Sequence, residues 1–277
     1  MRLPVIFLGL GVALCAGAAQ AAQPSVEIKD AVVRVTVIPE ARSDIKVEVL
    51  SSHPNLPLQV RSDGGRVIVD GKLDHKIRNC QGEGTRASVS VAGVGAVAYA
   101  NMPQIVIRTP RAVDLDSGGA VFGAIGKSDS LRLSNAGCGD WTVANVAGEL
   151  KLNQAGSGDT YVGSVGRASL RVAGSGDIKT QAVRGGMDVN MAGSGDVWAA
   201  SVDGALDVKI AGSGDVKVAG GRVGAMSVSV AGSGSVDVDG AAESLKARIA
   251  GSGDVKVKAV KGAVSKAVVG SGDVIIG

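Results

Sequence analysis

Aromatic residues are nearly missing from this chain: Phe, Trp and Tyr together make up 2% of 277 residues. Compact globular cores normally use large rings to bury area. Their scarcity excludes a core of that kind, so the 45% of apolar residues must fill a thin, regular space with small aliphatic side chains. Histidine is scarce as well, with only His53 and His75. No Ser-His-Asp arrangement, metal-ligand cluster or phosphate loop stands out. Charge of one sign is lacking: 29 Lys and Arg stand against 26 Asp and Glu, a formal balance of +3, too weak to argue for nucleic acid. Apolar runs long enough to cross a bilayer are missing too, since none approaches ~20 residues.

The strongest apolar run is at the start, "MRLPVIFLGLGVALCAGAAQAAQPS". Arg2 supplies a short positive region, Pro4 to Leu14 an apolar stretch, and Ala19 and Ala21 a small-residue cleavage pattern. Together they read as a secretory signal peptide over residues 1–21, cut after Ala21. The alternative is a lipid anchor on Cys15, opposed by the bulky Leu14 directly before it. Losing Arg2 lowers the balance from +3 to +2. Two cysteines then remain, Cys80 in "RNCQGEG" and Cys138 in "NAGCGD". Export places them where disulfides persist. A Cys80–Cys138 bridge is expected, the alternative being two unpaired thiols. Closing such a loop contributes on the order of 4 kcal/mol.

What the chain has in abundance is glycine, 42 residues, arranged in a repeat. The motif AGSGD closes at Asp140, Asp159, Asp177, Asp196, Asp215, Ser235, Asp254 and Asp273, at spacings of 19, 18, 19, 19, 20, 19 and 19. Degenerate copies, "AGVGA" ending at Ala96 and "DSGGA" ending at Ala120, bring the expected number of turns to ten. A second valine and glycine recur at Val146/Gly148, Val183/Gly185, Val202/Gly204 and Val260/Gly262. Alternating segments flank each motif. In "LDVKIAGSGDVKV", Leu206, Val208, Ile210, Val216 and Val218 share one parity, and Asp207, Lys209, Asp215 and Lys217 the other. Period 2 means strands with one buried face, and the valine and glycine content opposes helix. A unit of this length with two short strands is one coil of a β-solenoid. The expected fold is all-β, a parallel β-helix of about ten coils. With strands ~4.8 Å apart it forms a rod of roughly 40–45 Å.

Parity also assigns the motif residues. Gly156, Gly158, Gly174, Gly176, Gly193, Gly195, Gly212, Gly214, Gly251 and Gly253 fall on the inward side, where a side chain would obstruct the bend. Asp159, Asp177, Asp196, Asp215 and Asp254 fall outward with their serines, placed to hydrogen-bond turn amides. The motif therefore reads as a structural corner that needs no ligand, and the regular Val, Leu and Ile argue against a flexible Gly/Ser linker. Residues 22–87 lack the repeat. They are expected to form a β-rich N-terminal cap, with a hairpin or corner at "PEARSD" and a turn at Gly64–Gly65, leaving 88–277 as the solenoid. Lys266 falls in an inward register, so an irregular last coil is expected.

The Asp row invites three functional readings. Calcium-binding β-roll repeats share a Gly-rich look, but their period is nine residues and their Asp is set one residue further from glycine. A polysaccharide-active enzyme would need one distinctive carboxylate pair, whereas here every coil offers the same Asp. The third reading is a binding face. Two positions past each motif lie Thr142, Tyr161, Lys179, Trp198, Lys217, Asp237, Lys256 and Ile275. Tyr161 and Trp198 would be outward aromatics of the kind that favours sugar or protein contact, set against the ordinary occurrence of single exposed rings.

The tandem "AGSGDV" units over 136–277, with "AYANMPQIVIRTPRAVDLDSGGAVFG" (98–123) leading into them, resemble the exported auto-transporter adhesin family with a head GIN domain, DUF2807. The resemblance implies a stacked β-helix in the envelope of Gram-negative bacteria, with no established catalytic residues and no cofactor. No membrane-barrel pattern precedes the final "GSGDVIIG", so a protein of the periplasm or cell surface without a transmembrane segment is expected. The reading is an envelope structural or adhesive/binding module without catalytic activity, partnered by an envelope glycan or protein rather than nucleic acid. The alternative is a polysaccharide-active or calcium-binding β-helix protein.

Overall fold

The computed structural model describes residues 23–277, so the expected signal peptide and Cys15 lie outside the described residues. Strand β1 (Ser25–Glu40) opens the fold and bends at Asp30, where φ is 49°. Strands β2 (Lys46–Ser51), β3 (Gln59–Asp63) and β4 (Arg66–Asp70) follow, then a small group, β5 (Ile77–Gln81), β6 (Ser88–Val91) and β7 (Gly95–Ala98). Next come β8 (Gln104–Pro110) and the long β9 (Ala112–Ile125). The repeats supply β10 (Ser130–Gly137), β11 (Trp141–Val143), β12 (Val146–Gly156), β13 (Thr160–Val162), β14 (Val165–Gly174), β15 (Ile178–Val183), β16 (Met187–Gly193) and β17 (Val197–Val202). They close with β18 (Gly204–Gly212), β19 (Val216–Val218), β20 (Arg222–Gly232), β21 (Val236–Gly251), β22 (Val255–Val260), β23 (Val264–Gly270) and β24 (Val274–Ile276).

Each strand from β9 to β24 pairs in parallel with its equivalent in the adjacent coil, giving a parallel β-solenoid. Leu133 is in register with Leu115 and Leu152, and Val208 with Val189 and Val228. These columns run down the interior, and Leu115, Leu133, Leu152, Leu170, Val189 and Val208 are all fully buried. Full burial of each such side chain is worth about 1.5–3 kcal/mol, so stacking, not aromatic bulk, supplies the core. Leu206, Ile210, Val216 and Val218 are buried alongside Val208. The recurring Val146, Val165, Val183 and Val202 fill the remaining side.

Nine corner glycines stack, Gly119, Gly137, Gly156, Gly174, Gly193, Gly212, Gly232, Gly251 and Gly270, so the solenoid makes about nine turns from β9 onward. The upstream "AGVGA" copy is not among them: it forms the turn between β6 and β7 in an antiparallel sheet with β5. That stretch lacks an apolar run long enough to cover two faces of a coil. Conversely, β1 carries no motif yet is a coil, pairing in parallel with both arms of β9.

The N-terminal end is closed. Strands β4 and β8 stack in parallel on the two arms of β1, and β3 and β2 pair antiparallel with them. Antiparallel edge strands of this kind cover a coil's open amides. The Gly64–Gly65 turn joins β3 to β4, as expected. At "PEARSD" the chain makes a corner, because β8 lies between β1 and β2. The last coil is regular, with β23 in unbroken register with β21. Lys266 holds its inward register there and donates to the Val274 carbonyl at 2.9 Å across the open end, so its charge does not disturb the strands.

Residues 71–103, inserted between β4 and β8, form an accessory lobe on the side of the first coils. Val89, Val91, Val97 and Met102 pack on Val32, Ala120 and Phe122, which point out of the solenoid. The Cys80–Cys138 disulfide ties this lobe to a solenoid corner, with Cα atoms 6.0 Å apart.

Candidate functional site

The corner residues come first because they are the most repeated. At Gly212, φ is 148° and an added Cβ would lie 2.2 Å from the Gly193 carbonyl oxygen. The collision is with the backbone of the preceding coil, so glycine is required by coil-to-coil contact rather than by crowding inside. The Gly193 carbonyl accepts from both the Ser213 and Gly214 amides, at 3.1 and 3.3 Å. Gly156, Gly174 and Gly251 repeat the geometry with φ of 152°, 153° and 140°. Gly158, Gly176, Gly195, Gly214 and Gly253 each have the preceding coil's carbonyl 2.0 to 2.4 Å from where a Cβ would be.

The aspartates complete the corner. Asp140 Oδ1 accepts from the Asp159 amide at 3.0 Å, Asp159 from Asp177 at 2.8 Å, Asp177 from Asp196 at 2.9 Å and Asp196 from Asp215 at 2.8 Å. Asp215 accepts from the Ser235 amide at 2.7 Å and Asp254 from Asp273 at 3.0 Å, while Ser235 Oγ keeps the series with Asp254 at 3.3 Å. Burial pushes the Asp159 carboxyl up. The hydrogen bond from the Asp177 amide opposes the shift, and the Asp177 and Asp140 charges reinforce it. Among the described residues no three His, Cys, Asp or Glu side chains gather as metal ligands would.

Beside the aspartates runs the column expected from parity. Thr142, Tyr161, Lys179, Trp198, Lys217, Asp237, Lys256 and Ile275 are in register, one per coil. Tyr161 is 39% exposed. The Lys179 ammonium sits 5.4 Å from its ring centroid, a cation–π distance. Burial raises the Tyr161 hydroxyl pKa against the opposing Lys179 charge, so the phenol stays a neutral hydrogen-bonding group. Trp198 stands between Lys179 and Lys217, and a shallow depression runs past it to Asp177, Asp196 and Asp215. Two coils separate Tyr161 from Trp198, about 10 Å.

The strip continues toward the N-terminus through Ala124 and Thr36, then passes beneath the accessory lobe. A cavity of about 190 Å³ opens there, lined by Arg34, Thr36, Gln104, Tyr99, Asp140 and Thr142 among others. Tyr99 meets Phe122 edge-on at 5.7 Å and holds its ring 5.2 Å from the Arg34 guanidinium. The Gly84 amide donates to Asp140 Oδ2 at 3.2 Å, closing one wall.

Motif reading did not find this cavity, because only Asp140 and Thr142 of its polar lining belong to the repeat, while Arg34 and Thr36 come from the motif-free β1 and Tyr99 from the insertion. The scarcity of aromatics was the available signal. Of five rings among the described residues, Phe122, Tyr161 and Trp198 point outward from the strands after the corner, and Tyr99 lies against Phe122 alone, burying it under the lobe. The fifth, Trp141, points inward and is fully buried. Inward parity at 141 marks it, and Gly123 in register makes room for the indole.

The molecule is a regular parallel β-solenoid carrying a disulfide-bound lobe and an outward column that includes Tyr161, Lys179, Trp198 and Lys217. The chain belongs to the family described as "Putative auto-transporter adhesin, head GIN domain", whose profile matches residues 42–221 and 183–277. A crystal structure described as a "putative adhesin" from Bacteroides fragilis NCTC 9343 resembles it at a TM-score of 0.47 with 14% identity, covering 93% of this chain and 94% of the other. Another, so described from Parabacteroides distasonis ATCC 8503, gives 0.41 and 16% with the same coverage. No curated protein matches the chain.

Proposed function

We propose that this protein is an exported, non-catalytic adhesive module of the cell envelope, of the periplasm or cell surface, which binds a glycan or protein along the strip bearing Tyr161 and Trp198. One observation carries the reading: of the five rings among the described residues, Tyr161 and Trp198 stand outward in one column of the rod, while Phe122 and Tyr99 pack together under the lobe at its end. The exposed Tyr161 and the half-buried Trp198, interleaved with Lys179 and Lys217, offer stacking and cation–π contact without burying charge. Family membership supports adhesion, and the Cys80–Cys138 bridge supports an oxidising compartment outside the cytoplasm. Catalysis lacks a distinctive group, since the carboxylates repeat and each accepts the next coil's amide.

The test is a screen of the full chain against glycans and envelope proteins, repeated with Tyr161→Ala and Trp198→Ala. Loss of binding in either variant with unfolding unchanged supports the reading. Binding by both variants at the wild-type level removes the strip from it.

A further inference from the structure

The cavity beneath the accessory lobe holds a cation, Arg34, with no acidic partner among the described residues. Arg34 is half-buried, and its Nε is buried with no hydrogen-bond acceptor. One Nη donates to the Met102 carbonyl at a long 3.4 Å, and the Tyr99 ring covers the guanidinium at 5.2 Å. The nearby carboxylate of Asp140 is already engaged by the amides of Gly84 and Asp159. Buried guanidinium groups are ordinarily paired, because an unmet donor in a desolvated site is costly. Here the group instead lines a cavity of about 190 Å³ shared with the polar residues Thr36, Gln104 and Thr142.

We propose that this cavity binds the carboxylate of an acidic sugar unit, with Arg34 as the anchoring cation. The inference rests on the strip being a binding face, and it names the ligand class for that face. A planar guanidinium matches a carboxylate with two parallel donors. The cavity takes one sugar unit, whose hydroxyls reach Thr36, Gln104 and Thr142. The rest of the glycan runs out along Thr142, Tyr161 and Trp198, where ring faces stack on sugar faces. The disulfide and the Gly84–Asp140 contact fix the cavity roof, so the site is formed before the ligand arrives.

The experiment measures binding of the full, oxidised chain to a panel of uronate- and sialate-bearing oligosaccharides, each paired with its carboxyl-reduced neutral counterpart. Peptides with free or amidated C-termini form a parallel arm. The expected result is a preference for the acidic glycans of about tenfold or more, abolished in Arg34→Gln and partly kept in Arg34→Lys. Binding of the neutral counterparts is expected to be unchanged in both variants, which shows that they are folded. No acidic preference, an acidic preference that survives Arg34→Gln, or capture of free-carboxylate peptides alone each overturns the proposal. Loss of neutral and acidic binding together in Trp198→Ala, with Arg34→Gln at the wild-type level, removes Arg34 and leaves the strip standing. Wild-type binding in both variants removes both.

Discussion

The carboxylate of Asp196 accepts a hydrogen bond of 2.8 Å from the backbone amide of Asp215, one coil further on. The Asp215 carbonyl accepts in turn from the Val197 amide at 2.9 Å. At the corner, the side chain of one coil therefore supplies the acceptor that a strand would take from a carbonyl. The Asp row is a coil-to-coil coupling device. Asp196→Ala is expected to lower stability by roughly 1 kcal/mol by leaving an amide unmet. Asp196→Asn, which retains an acceptor oxygen, should cost less. Urea unfolding midpoints of the two variants check this order, and equal losses would count against it.

The corner glycine is more demanding than the aspartate. Gly212→Ala forces a Cβ to within 2.2 Å of the Gly193 carbonyl at a φ of 148°, so it should destabilise by well over ~1 kcal/mol. Gly220→Ala meets nothing nearer than 3.6 Å, at the Ala200 carbonyl, and should be tolerated. Thermal unfolding of the pair distinguishes a motif-specific requirement from a general cost of losing glycine.

The disulfide holds the lobe rather than the rod. Cys138→Ser restores the motif serine and, with Cys80→Ser, removes the bridge, releasing on the order of 4 kcal/mol of loop-closure restraint. Hydrogen exchange is expected to rise in residues 77–98 and stay low in the coils from Val146 to Val260. Uniform loss of protection would mean that the lobe and the rod unfold as one unit.

Acid should weaken the contacts of Asp70. Burial pushes this carboxyl up, but the Lys72 amide and the ammonium groups of Lys72 and Lys29 outweigh burial and bring it down to about 2. A carboxyl lowered by folding stabilises the protein above its unfolded pKa near 4, and loses that contribution as pH falls toward 2. The stability gap between wild type and Asp70→Asn should therefore shrink between about pH 4 and pH 2, read from unfolding midpoints at each pH. A gap that widens there would contradict the assignment.

Much of this was legible because one period repeats. The alternation of Leu206, Val208 and Ile210 fixed their inward direction, and the recurring motif located every corner from Gly137 on. The same reading placed Tyr161 and Trp198 in one outward column. The N-terminal part was less legible for a physical reason. β1 builds its corner from Asp30 and Ala31 without the motif, and the lobe packs through long-range contacts such as Val89 and Met102 on Phe122 that leave no periodic trace. The glycines were located at the corners, but the cause was read as crowding inside, whereas the obstructing atom is the carbonyl of the coil before, which only the stacked register shows.

The central claim is that binding resides where the motif is varied, while the motif itself holds the rod together. One paired measurement tests it: affinity for a ligand from the glycan and envelope-protein screen, and unfolding temperature, in Trp198→Ala and Asp254→Ala, whose carboxylate accepts from the Asp273 amide away from the strip. Trp198→Ala is expected to lose about tenfold or more in affinity with its unfolding temperature unchanged. Asp254→Ala should lose about 2–4 °C, as roughly 1 kcal/mol implies, with its affinity unchanged. The reverse pattern, with affinity lost in Asp254→Ala and kept in Trp198→Ala, would contradict the claim.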